Sequence, residues 1–445
     1  MNRIKRIHTS PGLGLRAAAS ALLLGLFALS TTAFASEANL TRFGPEIYKL
    51  VQGKPTTYSA TFRAIDGPAK LVLQDDGIDN AQIKINGRSV VGPQNFEGNG
   101  EVVIPLTLNQ ENTIEVRVPG RPVGELGVRV TQITKADLGL ERQGYFGLNT
   151  TDMERQRALY DTLGFIGEIY PAGPETSTTF AQSLGFPEDY LIHVSLHSLE
   201  DPPTPPFVDT VQFRGNSYRE EPPYANLNHI GMAYATYSTT DLDGDYAYLK
   251  AEGVEFVSAP AKAPNGERFV FMKDQDGAFI KLIQTAEGKA PTPGPDLVRL
   301  VNTNMNVSDL QRSREFYRLL GFTESAPGSQ AGSGEFAAAH GFDGPIEFEG
   351  VDISLGADTD GATLQLRQWK SPYDDAPSYP PPVNHLGIDR INFYVKDLTA
   401  AVKTMNELGF EQLGPIGGRP EFGIVFFFDP DRIKVQLAGP RTVPK

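Results

Sequence analysis

The sequence predicts an α+β protein: two tandem copies of a paired βαβββ unit, preceded by an all-β sandwich. Three observations predict it. Short alternating strands separated by turn residues fill the region before Leu138, a long internal repeat follows, and each copy of the repeat divides into two halves of the same order.

The chain opens on a basic stretch (Arg3, Lys5, Arg6, Arg16), an apolar run from Ala17 to Leu29, and the small-x-small site Ala33-Phe34-Ala35. This is the order of a secretory signal with Ser36 as the first mature residue. The apolar run is shorter than the roughly 20 residues that span a bilayer, so cleavage rather than anchoring is expected, with a periplasmic or secreted product and no membrane partner afterwards. The net charge of −14 becomes −18 once the leader's four cations are removed, since the leader carries no acid. Such a surface repels nucleic acid, which is excluded as a partner. The absence of cysteine excludes disulfides, thiolate chemistry and lipid attachment at the cleavage site.

From Thr57 to Ile133 the pattern gives strands at Thr57–Ala64, Ala69–Leu73, Gln82–Ile85, Val102–Leu108, Thr113–Val118 and Gly127–Ile133, with Asn86-Gly87 as a two-residue hairpin turn. Residues 36–138 therefore read as a sandwich, immunoglobulin-like or carbohydrate-binding-like. The acidic turn at Asp75, Asp76 and Asp79 lacks the ligand alternation of a calcium loop and reads as a solvated turn.

Past Leu138 the repeat appears. Asp152–Phe165 (DMERQRALYDTLGF) aligns without gaps with Asp309–Phe322 (DLQRSREFYRLLGF), and Asn228-His229 returns as Asn384-His385. The copies run over 139–289 and 297–441, joined by a stiff proline-rich linker at 290–296. In the first copy a strand at Tyr145–Asn149 leads to an N-capping Asp152 and a helix ending at Gly164. The second half repeats this: Tyr234–Thr239, Asp241, a helix through Leu249 and the stop Gly253. Asp241, Asp243, Asp245 and Glu252 fall at calcium-loop positions, but Tyr246 stands where glycine is required and the repeat makes this segment a helix start.

Strand, capped helix and three strands, taken twice, with the signature D-L-x-R-S-x-x-F-Y-x-x-L-G-F at Asp309–Phe322, resembles the vicinal oxygen chelate superfamily of glyoxalase, bleomycin-resistance and dioxygenase-like proteins. The resemblance covers Gln143 to Pro440. It implies a divalent metal in a cup formed by a curved sheet, held by His, Gln or Glu. Its first ligand position, seven residues before each capping aspartate, falls here on Tyr145, Tyr234, Asn302 and Arg390. The last-strand position falls on Lys281 and Gln436. The corresponding strand Leu364–Trp369 supplies Gln365, and matching it to Val194–His197 supplies Ser195. Lysine and arginine bring a positive charge and no lone pair, so these positions predict no metal and no other cofactor. A divalent metal is the alternative.

His193 and His197 share a strand face roughly 13 Å apart, too far to chelate one ion together. His229 and His385 precede their strands' ligand positions and read as loop residues that hydrogen-bond the connection between halves. Taking alternate residues, the second copy's cup shows Asn302, Asn304, Gln365, Arg367, Trp369, Arg390, Asn392, Tyr394, Lys434 and Gln436. The first copy's cup shows Tyr145, Asn149, Ser195, His197, Tyr234, Thr236 and Lys281, with His197 and Lys281 as metal-free acid–base candidates.

Three functions are consistent with this pattern. The favoured one is metal-independent binding of a polar or anionic small molecule, carboxylated ligands included; drug-sequestering members of the family bind without catalysing. The second is a lyase, isomerase or dioxygenase using a non-standard metal or the His/Lys pair. The third is a surface or adhesion protein working through the sandwich. A monomer with the two copies packed together is expected.

Overall fold

The computed structural model describes residues 36–49, 55–78, 80–96, 100–118, 124–169, 178–285, 294–356, 358 and 361–442. The leader, Asp79 of the acidic turn and most of the proline-rich linker lie outside them.

Among the described residues eight strands form the N-terminal region: β1 (Ser36–Lys49), β2 (Thr56–Arg63), β3 (Gly67–Asp76), β4 (Gln82–Ile85), β5 (Arg88–Val91), β6 (Gly100–Leu108), β7 (Glu111–Val118) and β8 (Glu125–Ala136). They make two antiparallel sheets, β1-β8-β3-β6 and β2-β7-β4-β5, around a core that includes Leu71, Leu73, Ile83, Ile114 and Val128. Asn86 and Gly87, both at positive φ, turn β4 into β5. In the acidic turn Asp75 Oδ1 accepts from Ile78 N at 2.7 Å, so this carboxylate serves the turn itself. The alternation missed β1, a mixed polar strand broken by a bulge near Gly44. β1 is also the strand that docks the sandwich: Asn39 N donates to Glu315 Oε2 (2.8 Å) and Arg42 Nη1 to the Leu408 carbonyl (2.7 Å), while Ala38 and Leu40 join the main core.

Four βαβββ modules follow. Module one holds β9 (Leu140–Asn149), α1 (Met153–Thr162), β10 (Gly167–Ile169), α2 (Thr178–Ser183), β11 (Leu191–Ser198) and β12 (Phe207–Arg214). Module two holds β13 (Gly231–Thr239), α3 (Leu242–Ala251), β14 (Glu255–Phe256), β15 (Ala261–Lys262), β16 (Arg268–Lys273) and β17 (Phe279–Gln284). Module three holds β18 (Leu297–Asn306), α4 (Leu310–Leu319), β19 (Phe322–Pro327), β20 (Gln330–Gly332), α5 (Glu335–Ala339), β21 (Ile346–Leu355) and β22 (Thr363–Ser371). Module four holds β23 (Gly387–Val395), α6 (Leu398–Glu407), β24 (Gly417–Gly418), β25 (Phe422–Phe428) and β26 (Lys434–Pro440). The side chains of Asp152, Asp241, Asp309 and Asp397 each accept from the first-turn N–H groups of α1, α3, α4 and α6, as N-caps do.

The pairing of modules departs from the sequence expectation. The eight-stranded sheet runs β10-β11-β12-β9-β23-β26-β25-β24, joining module one to module four. The ten-stranded sheet has the path β14-β16-β17-β13-β18-β22-β21-β19, joining module two to module three. Neither cup belongs to one copy of the repeat; each is shared by the two copies. Within a copy the halves meet through an aspartate turn instead. Asp276 of module two accepts from Thr150 Oγ1 (2.5 Å) and Thr151 N (3.0 Å) of module one, and Asp431 of module four accepts from Ser308 N (3.0 Å) and Arg312 Nη2 (2.6 Å) of module three. The helix-facing sides of both sheets merge into one core containing Tyr160, Phe316, Tyr317, Phe393 and Phe427.

Candidate functional site

Two cups result. The first has at its centre the strands β12, β9, β23 and β26, and the second β17, β13, β18 and β22. Register locates the ligand positions. Asn304 pairs with Gln365 and Gly147 with Asp209, so Asp209 stands in module one where Gln365 stands in module three. The assignment of Ser195 to that position is therefore corrected. Ser195 lies on β11 opposite Thr210, on the helix-facing side, where its Oγ donates to Glu168 Oε1 at 2.6 Å. The spacing that carries Asn228 onto Asn384 also carries Asp209 onto Gln365, and this spacing, not the local match of Val194–His197, gives the register.

The first cup thus combines Tyr145 and Asp209 of module one with Arg390, Asn392, Tyr394, Lys434 and Gln436 of module four. Its floor is a buried charge network. Arg390 Nη2 meets Asp209 Oδ2 at 2.8 Å, and Nη1 meets Asp389 Oδ1 at 2.8 Å and Asn149 Oδ1 at 3.0 Å. Lys434 Nζ donates to the Tyr379 carbonyl at 2.8 Å and lies 3.5 Å from Asp389 Oδ2. Burial alone would lower the guanidinium, but Asp209 and Asp389 raise it above its ordinary value. Burial pushes the Asp209 carboxyl up and Arg390 pulls it back. Gly147 makes room for the arginine: a Cβ there would fall 2.2 Å from Arg390 Cζ. Tyr145 and Tyr394 keep partial exposure at the mouth.

The second cup combines Tyr234, Thr236 and Lys281 of module two with Asn302, Asn304, Gln365, Arg367 and Trp369 of module three. Tyr234 Oη donates to Gln365 Oε1 (3.0 Å), and Gln365 Nε2 to Asp352 Oδ1 (3.0 Å). Lys281 Nζ meets Glu267 Oε1 at 2.5 Å; burial lowers the ammonium, against the pull of Glu267. Trp369 Nε1 donates to Asn306 Oδ1 at 3.1 Å. An aromatic cluster that includes Phe269, Phe271, Phe336 and Phe348 packs around these groups, and α5 closes it with His340, which burial pushes down to about 3.

The expected split into a first-copy and a second-copy cup is overturned. Tyr145 shares a cup with Arg390, and Tyr234 and Lys281 share one with Asn302 and Gln365. His197 is in neither. It points to the helix side, stacked 4.6 Å from Tyr160, with its pKa pushed down to about 4 by burial. His197 and Lys281 therefore do not meet, and the metal-free acid–base pair has no geometric basis. His229 and His385 lie on the crossovers into modules two and four, as read from the sequence. His229 Nδ1 is 2.9 Å from the Asn226 carbonyl, and His385 stacks on Tyr379 beside Arg219. Asn149 and Asn306 hold these crossovers. Each amide donates twice, to Val383 and His385 carbonyls (2.9 and 2.6 Å) and to Leu227 and His229 carbonyls (2.7 and 2.8 Å).

The eight ligand-register positions are Tyr145, Asp209, Arg390 and Gln436 in one cup and Tyr234, Lys281, Asn302 and Gln365 in the other. Their one carboxylate is already paired with a guanidinium, and two of the eight are cations without a lone pair. This donor set does not fit a divalent ion. Among the described residues no group of three or more His, Asp or Glu side chains is placed to hold a metal.

Among known structures the chain is similar to glyoxalase I from Zea mays at 18% identity, covering 67% of this chain and 92% of that one, with a TM-score of 0.45. A putative dioxygenase from Bacillus subtilis matches at 10% identity over 68% of this chain and 86% of its own, with a TM-score of 0.44. A glyoxalase family protein from Bacillus cereus matches at 22% identity over 36% of this chain and 99% of its own, with a TM-score of 0.29. No curated protein matches the chain. The family model for the Glyoxalase/Bleomycin resistance protein/Dioxygenase superfamily matches twice, at residues 142–282 and 299–437, and the chain belongs to that superfamily.

Proposed function

We propose that this protein binds a polar or anionic small molecule in its cups without a metal, as a monomer outside the cytoplasm. The observation that carries the reading is Arg390. Its guanidinium holds the one carboxylate among the ligand positions, so the positive charge that a metal supplies in such a cup is here provided by the chain. Lys281 has the same consequence in the second cup. Binding rather than turnover is supported by the placement of His197 on the far side of its sheet, which leaves Lys281 without the basic partner that the sequence suggested. The basic, apolar and small-x-small order of residues 1–35 supports export.

The test is elemental analysis of the purified mature protein before and after dialysis against Ni, Zn, Mn and Fe, with ligand-induced thermal shifts recorded with and without EDTA. Negligible metal and shifts indifferent to EDTA are expected. About one metal per chain, or shifts abolished by the chelator, overturns the reading. N-terminal sequencing of the exported protein should begin at Ser36, and a hydrodynamic mass near twice the chain's would sink the monomer.

A further inference from the structure

We infer that the second cup selects a planar arene bearing one carboxylate and a hydrogen-bond donor, and that Arg367 is the group that takes the carboxylate. This rests on the metal-free binding reading and names its ligand class.

Arg367 is 2% exposed, yet its Nε and Nη1 have no hydrogen-bond partner. A guanidinium out of water is stable only when its N–H groups are met. Glu267 is held by Lys281 at 2.5 Å, and Asp352, which accepts from Gln365 at 3.0 Å, feels the charge of Arg367 but meets neither Nε nor Nη1. The fold does not need a cation here: in the first cup the register-equivalent residue is Val211, which pairs with Asn149 as Arg367 pairs with Asn306. Nε and Nη1 are therefore open to an acceptor from outside the chain, and a carboxylate matches the guanidinium's fork.

The surroundings narrow the class. The guanidinium carbon lies 4.2 Å from the centroid of the Phe348 ring and 5.7 Å from that of Tyr234, and Trp369 packs 5.1 Å from Phe348. Flat aromatic walls favour a flat ligand. On the same sheet face Asn302 Oδ1 and Asn304 Oδ1 are buried acceptors without donors. A hydroxyl or amine on the arene satisfies one of them, as the carboxylate satisfies Arg367.

The experiment uses EDTA-treated mature protein and 4-hydroxybenzoate, with 4-hydroxybenzamide and acetate as comparators. Trp369 is the sole tryptophan, so its fluorescence reports this cup, and calorimetry supplies affinity. The acid is expected to bind about 10–100-fold more tightly than the amide, and Arg367→Met to lose about the same factor. Arg367→Lys should recover part of it. Asp352→Asn removes a competing charge without touching Arg367 and should tighten the acid, which guards against a misfolded Arg367→Met. Equal affinity for acid and amide, unchanged binding in Arg367→Met, or no response to the acid overturns the inference. Acid-selective binding that Arg367→Met abolishes, but that appears only with added Mn²⁺, upholds the arginine and overturns the metal-free reading.

Discussion

Replacing Arg390 by methionine removes one cation from a site where the facing carboxylate side chains are 11% (Asp209) and 0% (Asp389) exposed. The loss is not that of a surface pair, which is worth about 0–1 kcal/mol. Two carboxylates are left in a low-dielectric interior, one of them with only the more distant Lys434, so destabilisation of about 3–5 kcal/mol is expected. Asp209→Asn should cost less, about 1–3 kcal/mol, because Arg390 keeps Asp389 and Asn149. In the double variant neither charge is stranded against the other, and the cost should fall short of the sum of the singles by about 1–3 kcal/mol. Urea unfolding followed at once by far-UV ellipticity and Trp369 fluorescence supplies the free energies, provided the two probes give one transition. A loss under about 1 kcal/mol in Arg390→Met, or strict additivity in the cycle, would refute the claim that a buried ion pair stands where the family places its metal.

Three further outcomes follow from the same geometry. Arg390→His removes the guanidinium from Asp209 and supplies a lone pair, so the variant should retain zinc or nickel on elemental analysis where the parent does not. Asn149→Ala and Asn306→Ala each delete two bonds to a crossover; each should cost about 1–3 kcal/mol and raise amide hydrogen exchange in its own crossover, and equal exchange in both would contradict the assignment. His197 is held near pKa 4 in the fold against about 6.5 unfolded, so the unfolded chain takes up the proton first. Its contribution is intact above pH 6.5 and declines as pH falls toward 4, by about 3 kcal/mol in all; His197→Phe should flatten that limb of the stability curve.

Much of this architecture was legible because it is written in local chemistry. The capping aspartates, the glycine-stopped helices and the Asn86-Gly87 turn each act within a few residues, and all are where the pattern puts them. The pairing of modules was not legible. Strands β9 and β23 are far apart in the chain, and their register is fixed by side-chain fit across the sheet, Gly147 under Arg390 being the clearest case. Nothing in the order of the halves distinguishes a cup closed within a copy from one closed between copies. Facing is not set by polarity on β11, where Ser195 and His197 alternate with Val194 and Leu196. Polarity alone points Ser195 and His197 into the cup, but the helix side supplies Glu168 to Ser195 and Tyr160 to His197, and the apolar residues turn inward.

Closure between copies gives the two cups different contents. Each draws one half from each copy, so a substitution in module three changes only the second cup and one in module four only the first. Each cup sets two cations against two carboxylates, and in the first Arg390 is bonded on both nitrogens of its fork. Buried acceptors without donors occur in both, Asn392 Oδ1 and Gln436 Oε1 in the first and Asn302 Oδ1 and Asn304 Oδ1 in the second; what sets the second apart is an equally buried arginine, Arg367, with Nε and Nη1 bare. A buried cation that is already paired gains little from an anionic ligand, whereas one with open N–H groups gains their pairing when the ligand arrives. On the proposed reading Arg367 of the second cup takes the anion, whereas the first cup's ion pair also joins module one to module four.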